Sequence, residues 1–105
     1  MVQNQCVGGA VRFLPRTLNL TAAGNTISHT VELSGRLDYI DIIPPSTGTY
    51  DFEFQDDEGA YIYADTGISG FQSFRVDKAI HGPHTIRLTN CPNGAWKVKL
   101  RWQPD

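Results

Sequence analysis

Alternation of apolar and polar residues with period two is the feature that most narrows what this chain can become. Trp96, Val98, Leu100 and Trp102 alternate with Lys97, Lys99, Arg101 and Gln103. Tyr50, Phe52 and Phe54 alternate with Asp51, Glu53 and Gln55. Ile27, His29, Val31 and Leu33 alternate with Ser28, Thr30 and Glu32, and Ile86 and Leu88 sit between Thr85, Arg87 and Thr89. Successive side chains of a strand point to opposite faces, so each pattern offers one face to a core and one to water. Apolar residues three and four apart do not recur over any long window, which argues against helices.

The punctuation between these runs is turn chemistry. Ala23-Gly24-Asn25, Ser34-Gly35, Pro44 to Gly48, Asp57-Glu58-Gly59, Gly67 to Gly70, His81-Gly82-Pro83 and Cys91 to Gly94 recur about every ten residues, the rhythm of a sandwich. The expected fold is therefore all-β: an antiparallel, jelly-roll-like β-sandwich. About eight strands are predicted, near 11–15, 27–33, 36–43, 49–55, 60–64, 71–77, 84–90 and 96–102.

The chain has 105 residues, of which 40% are hydrophobic and 19% charged, which suits one globular domain. Residues 1–10 are polar or glycine-rich and read as a flexible arm ahead of a single domain over 11–105. The formal net charge is -2. Nine basic residues are scattered along the chain, which argues against nucleic acid as a partner. Their densest set, Lys97, Lys99 and Arg101, alternates along one strand and reads as a solvated face. No apolar run approaches the ~20 residues of a spanning helix, and Met1 leads into Val-Gln-Asn-Gln without a signal-peptide pattern. Cys6 and Cys91 are expected to be free thiols in a reducing compartment.

A search for chemistry predicts no catalytic residue, no cofactor and no metal site. Asp56-Asp57-Glu58-Gly59 is the tightest acidic cluster, but its spacing does not fit a calcium loop, and glycine there suits a hairpin. His81-Gly82-Pro83-His84 spaces two histidines as a helical zinc grip would, yet Gly-Pro makes the helix unfavourable, so a turn with two surface histidines is expected. No serine lies in a nucleophile-elbow context, and Cys91, ahead of Pro92, shows no base. A non-enzymatic role follows. Tyr61 and Tyr63 fall on one strand face opposite Ile62, where they offer a stacking platform for a sugar. That is the basis of an alternative reading, a carbohydrate-binding or accessory module of a larger protein. Trp96 and Trp102 fall on an apolar face and are assigned to the core.

The stretch Tyr39 to Gly59, running Tyr-Ile-Asp-Ile-Ile-Pro-Pro-Ser-Thr-Gly-Thr-Tyr-Asp-Phe-Glu-Phe-Gln-Asp-Asp-Glu-Gly, resembles a pattern in small tailed-bacteriophage proteins encoded among head and tail genes. Leu88-Thr89-Asn90, then Asn93-Gly94 and a closing amphipathic strand, is similar too. The likeness covers roughly residues 27–102. It implies a structural virion protein that decorates the capsid or joins head to tail, assembled in the bacterial host cytoplasm. It further implies a homo-oligomer whose partners are a major capsid or head–tail protein, with no nucleic acid or membrane. Sheet edges, and an arm carrying Val2, Gln3, Asn4, Gln5 and Val7, are the expected docking elements.

Overall fold

A computed structural model describes residues 14–104. The arm residues Val2, Gln3, Asn4, Gln5 and Val7, and with them Cys6, lie outside the described residues. The chain forms six strands: β1 (Leu14–Ala22), β2 (Thr26–Ile43), β3 (Thr49–Gln55), β4 (Tyr61–Ser69), β5 (Gln72–Thr89) and β6 (Gly94–Pro104). They make one antiparallel sheet in the order β1-β6-β2-β5-β3-β4. The sheet is open, with β1 and β4 as its two edges.

This overturns the jelly-roll sandwich of about eight strands. The expected segments 27–33 and 36–43 are one 18-residue strand, and 71–77 and 84–90 are another. Ser34-Gly35 and His81-Gly82-Pro83 look like turns, yet they face each other within the β2–β5 ladder: Gly35 pairs with Ile80, Ser34 with His81, Leu33 with Gly82 and Glu32 with Pro83. Glycine supplies the backbone freedom there, with φ of 139° at Gly35 and 84° at Gly82. Pro83 needs no second neighbour, because β3 pairs with β5 only from Thr85 to Thr89. The missing N–H therefore costs no ladder bond on that side.

Each flank covers a different half of the β2–β5 ribbon. β6 pairs with β2 over Gly35–Ile43, and β3 pairs with the far half of β5. The four residues 90–93 nonetheless carry the chain from β5 to β6. Asn25, at φ 61°, ties this connection to the start of β2: its N–H donates to Asn93 Oδ1 at 2.8 Å and its Nδ2 to the Cys91 carbonyl at 2.8 Å. The two flanks meet over the apolar face. Trp96 on β6 and Tyr50 on β3 are separated by β2 and β5 in the ladder, yet their rings meet edge-on at 5.0 Å. Both are fully buried, with Phe52, Phe54, Ile86 and Leu100 around them. The alternation of Trp96–Leu100, Phe52–Phe54 and Ile86–Leu88 selects this face as read from sequence.

Tyr50 donates its hydroxyl to the Gly70 carbonyl at 2.8 Å, and burial pushes its phenol up to about 12. An unfolded tyrosine ionises near pH 10, so the unfolded chain loses its proton first. The stabilisation is complete below pH ~10 and fades as the pH rises towards 12. A spectrophotometric titration should show one phenol ionising last, and Tyr50→Phe should remove that late step.

Candidate functional site

The described residues were the places to look for a catalytic or metal centre, and none of their His, Cys, Asp and Glu side chains gather in threes that could hold a metal ion. The acidic cluster is a turn. Asp56 Oδ1 accepts the N–H groups of Glu58 and Ala60, both at 2.9 Å, and Gly59 takes φ 83°. The Ala60 bond first, then the Glu58 bond, holds the Asp56 carboxyl below its usual range. The two histidines are not paired at the surface. His84 is buried within β5, stacked on Phe54 at 5.5 Å with Nδ1 against the Gly82 carbonyl at 3.0 Å. The surface turn expected there is corrected: the segment is strand, and pairing with β2 turns His84 inward.

Tyr61 and Tyr63 are not brought together. A register shift between Phe54 and Gln55 sets Tyr63 opposite Phe54 and Tyr61 opposite Gln55. Tyr63 packs against Phe74 at 4.7 Å and Phe52 at 6.0 Å, whereas Tyr61 is 62% exposed. Burial raises the Tyr63 phenol as well. The bulge breaks the parity on which a two-ring platform depends.

Cys91 is a buried thiol whose Sγ lies 3.9 Å from the Leu88 carbonyl, and burial pushes its pKa up. A thiol reacts as its nucleophilic thiolate, so Cys91, buried and held protonated, should be inert in the native protein. Iodoacetamide treatment followed by peptide mass spectrometry should leave Cys91 unmodified until denaturant is added.

What stands out is the contrast between the two sheet edges. β4 is irregular. Its ladder with β3 slips twice, Gly67 takes φ 63°, and side chains occupy two of its backbone donors: Thr66 N–H on Asp65 Oδ1 and Gly67 N–H on Asp51 Oδ1, both 2.9 Å. Asp51 also accepts Asn90 Nδ2 at 2.8 Å. The Asn90 bond, then the Gly67 bond, lowers its pKa. A lowered carboxylate stabilises the fold above the ordinary carboxylate range and ceases to as the pH falls through its folded pKa. Asp51→Ala should therefore lower Tm at pH 7, and the gap to the parent should close in acid, as read by calorimetry at both pH values. Bulges and charges of this kind blunt an edge.

β1 has no bulge, and of these devices it carries only Pro15, which lacks an N–H, and a single charge. It pairs with β6 over nine consecutive residues without a slip, from Leu14↔Trp102 to Ala22↔Gly94. Its one charge is Arg16. Leu18 faces the core, Leu20 is half-buried, and Thr17, Asn19 and Thr21 are exposed. Beside it runs β6, with Lys97 opposite Asn19 and Lys99 opposite Thr17 on the outward face.

On that outward face a network of ion pairs and hydrogen bonds joins β2, β5 and the end of β6. Asp41, 7% exposed, accepts Ser73 Oγ at 2.6 Å and Arg101 Nη2 at 3.0 Å, and the Arg101 guanidinium lies 4.2 Å from the Tyr39 ring centre. Arg36 bonds Asp77 and approaches Asp38 at 3.8 Å, where Gln103 Nε2 also donates at 3.1 Å. Arg75 reaches Asp77 at 3.7 Å. These side chains surround the bulge between Leu37 and Tyr39. Among the described residues, Lys97 and Lys99 are the cations of this face that have no carboxylate within 4 Å. The sequence marked Lys97, Lys99 and Arg101 as a solvated face. The structure keeps that for the two lysines and moves Arg101 into a network, which only its cross-strand neighbours could reveal.

No protein-family model matches the chain, and no curated protein matches it.

Proposed function

We propose that this chain is a non-enzymatic structural protein of a phage virion, which binds a capsid or head–tail protein through a sheet edge. The observation that carries the edge-binding part is the difference between β1 and β4. One pairs over nine residues without a slip and, among the described residues, has no strand on its outer side, and the other is bulged with two of its backbone donors held by side chains. An open regular edge is a template for another strand, and main-chain bonds then supply affinity without a deep pocket. The virion part rests on the likeness of residues 39–59 to small tailed-phage proteins. A symmetric particle would carry several copies, so that contacts weak in one subunit add up.

The test is immunogold electron microscopy of particles from the host that encodes the chain. Label on the capsid or at the neck is the expected result. Particles without label, with the protein left in the soluble fraction, would overturn the virion reading. Light scattering of the purified protein reads its mass alone, and a trimer or larger ring is expected. The carbohydrate reading has one exposed tyrosine left to it, Tyr61, and a glycan array would show a hit if that ring sufficed.

A further inference from the structure

We infer that the β1 edge accepts an extended acidic segment of a partner protein, in which carboxylates alternate with apolar residues. This deepens the edge-binding reading by naming the partner's chemistry. The argument starts from what a strand laid beside β1 would meet. Its backbone would complete the ladder that, among the described residues, β6 leaves one-sided. Its inward side chains would meet Arg16 near one end of β1 and then Leu18 and Leu20, with Leu20 only half-buried, so that beside the leucines the match is apolar. Apolar residues belong there.

Its outward side chains would lie beside Thr17, Asn19 and Thr21, which are short and uncharged. Adjacent strands are about 4.8 Å apart, so the added strand would run about 10 Å from β6. Lys97 and Lys99 can extend across the short side chains of Asn19 and Thr17, their registered neighbours. Their ammonium groups would reach glutamates or aspartates on the added strand. The other four cations of this face, Arg36, Arg75, Arg87 and Arg101, are already matched by Asp38, Asp77, Glu53 and Asp41. The unmatched charge therefore lies along the strand nearest the open edge.

The same reasoning disfavours a second copy of this chain on β1. A copy's β1 would bring Thr17, Asn19 and Thr21 to the outward face, with no carboxylate, and would carry a second lysine row towards the first. Charge complementarity selects an acidic strand instead.

The experiment uses fluorescein-labelled nonapeptides of alternating valine and glutamate, and of alternating valine and lysine, with the purified chain. Anisotropy should show the glutamate peptide binding at least tenfold tighter at low salt, an advantage that shrinks by 0.5 M salt. K97E/K99E should invert the preference while leaving Tm within a few degrees of the parent. N-methylating alternate amides of the glutamate peptide should abolish binding in one series and spare it in the other, because a strand bonds its neighbour through every second residue. Backbone NMR shifts should fall on β1. Equal binding of the two peptides, an unchanged preference in K97E/K99E, shifts on β4, or a dimer built through β1 would each overturn the inference. The virion reading is judged separately by the labelled particles. Unlabelled particles with intact peptide binding would remove that reading alone, and labelled particles without peptide binding would remove this one alone.

Discussion

Gly35→Ala should lose most of the stability of this fold, by about 3 kcal/mol or more where overpacking and backbone strain add. A Cβ at this position would lie 2.1 Å from the Gln103 carbonyl oxygen and 2.9 Å from the Pro104 Cα. Both are backbone atoms of β6, so no rotamer relieves the overlap. Its φ of 139° is one that L side chains rarely adopt. The end of β6 would have to leave β2, where Gly35 pairs with Pro104. Gly82→Ala is the control. It sits at φ 84° in the neighbouring strand with nothing within 4 Å of its Cβ, so it pays for conformation alone, about 1 kcal/mol or somewhat more. Urea unfolding of the two variants should separate them clearly. Equal losses would show that close approach of β6 is not what requires glycine at position 35.

Trp96→Ala should cost about 3–5 kcal/mol, the range for emptying a large buried aromatic site. Its ring is fully buried against Tyr50, and its Nε1 donates to the Pro92 carbonyl at 2.9 Å. The residue thus joins the two flanks of the sheet across the core and pins the connection between β5 and β6. Trp96→Phe keeps a ring there and gives up the hydrogen bond, so it should cost markedly less. Denaturant titration followed by circular dichroism gives both values without relying on the tryptophan signal. A small loss in Trp96→Ala would mean that the Tyr50–Trp96 contact contributes little to joining the flanks.

The inward residues were legible because a strand's side chains alternate by geometry. Trp96, Val98 and Leu100 on β6 and Tyr50, Phe52 and Phe54 on β3 are all buried as their alternation requires. The same signal is present, more weakly, in Leu18, Leu20 and Ala22, which alternate with Asn19 and Thr21. The predicted first strand at 11–15 only touches β1, whose range is Leu14–Ala22. The run is short and half polar, which is how an edge strand with one neighbour looks.

Tyr61 and Tyr63 show the limit of counting by twos. One register shift sets the second ring half-buried against the core and leaves the first exposed, and nothing in Tyr-Ile-Tyr announces that slip. Asp41 shows another limit. It stands between Ile40 and Ile42 and reads as a water-facing residue, but it is buried under Arg101, 60 residues away. The edge contrast was equally hidden, since which strands are outermost depends on the order β1-β6-β2-β5-β3-β4.

That this chain is built of strands, and which face of most of them is apolar, follows from local side-chain periodicity alone. That Ser34-Gly35 and His81-Gly82-Pro83 continue a strand instead of reversing it comes from the fold. Glycine permits either course, and the choice belongs to the partner strand whose backbone groups are there to be paired.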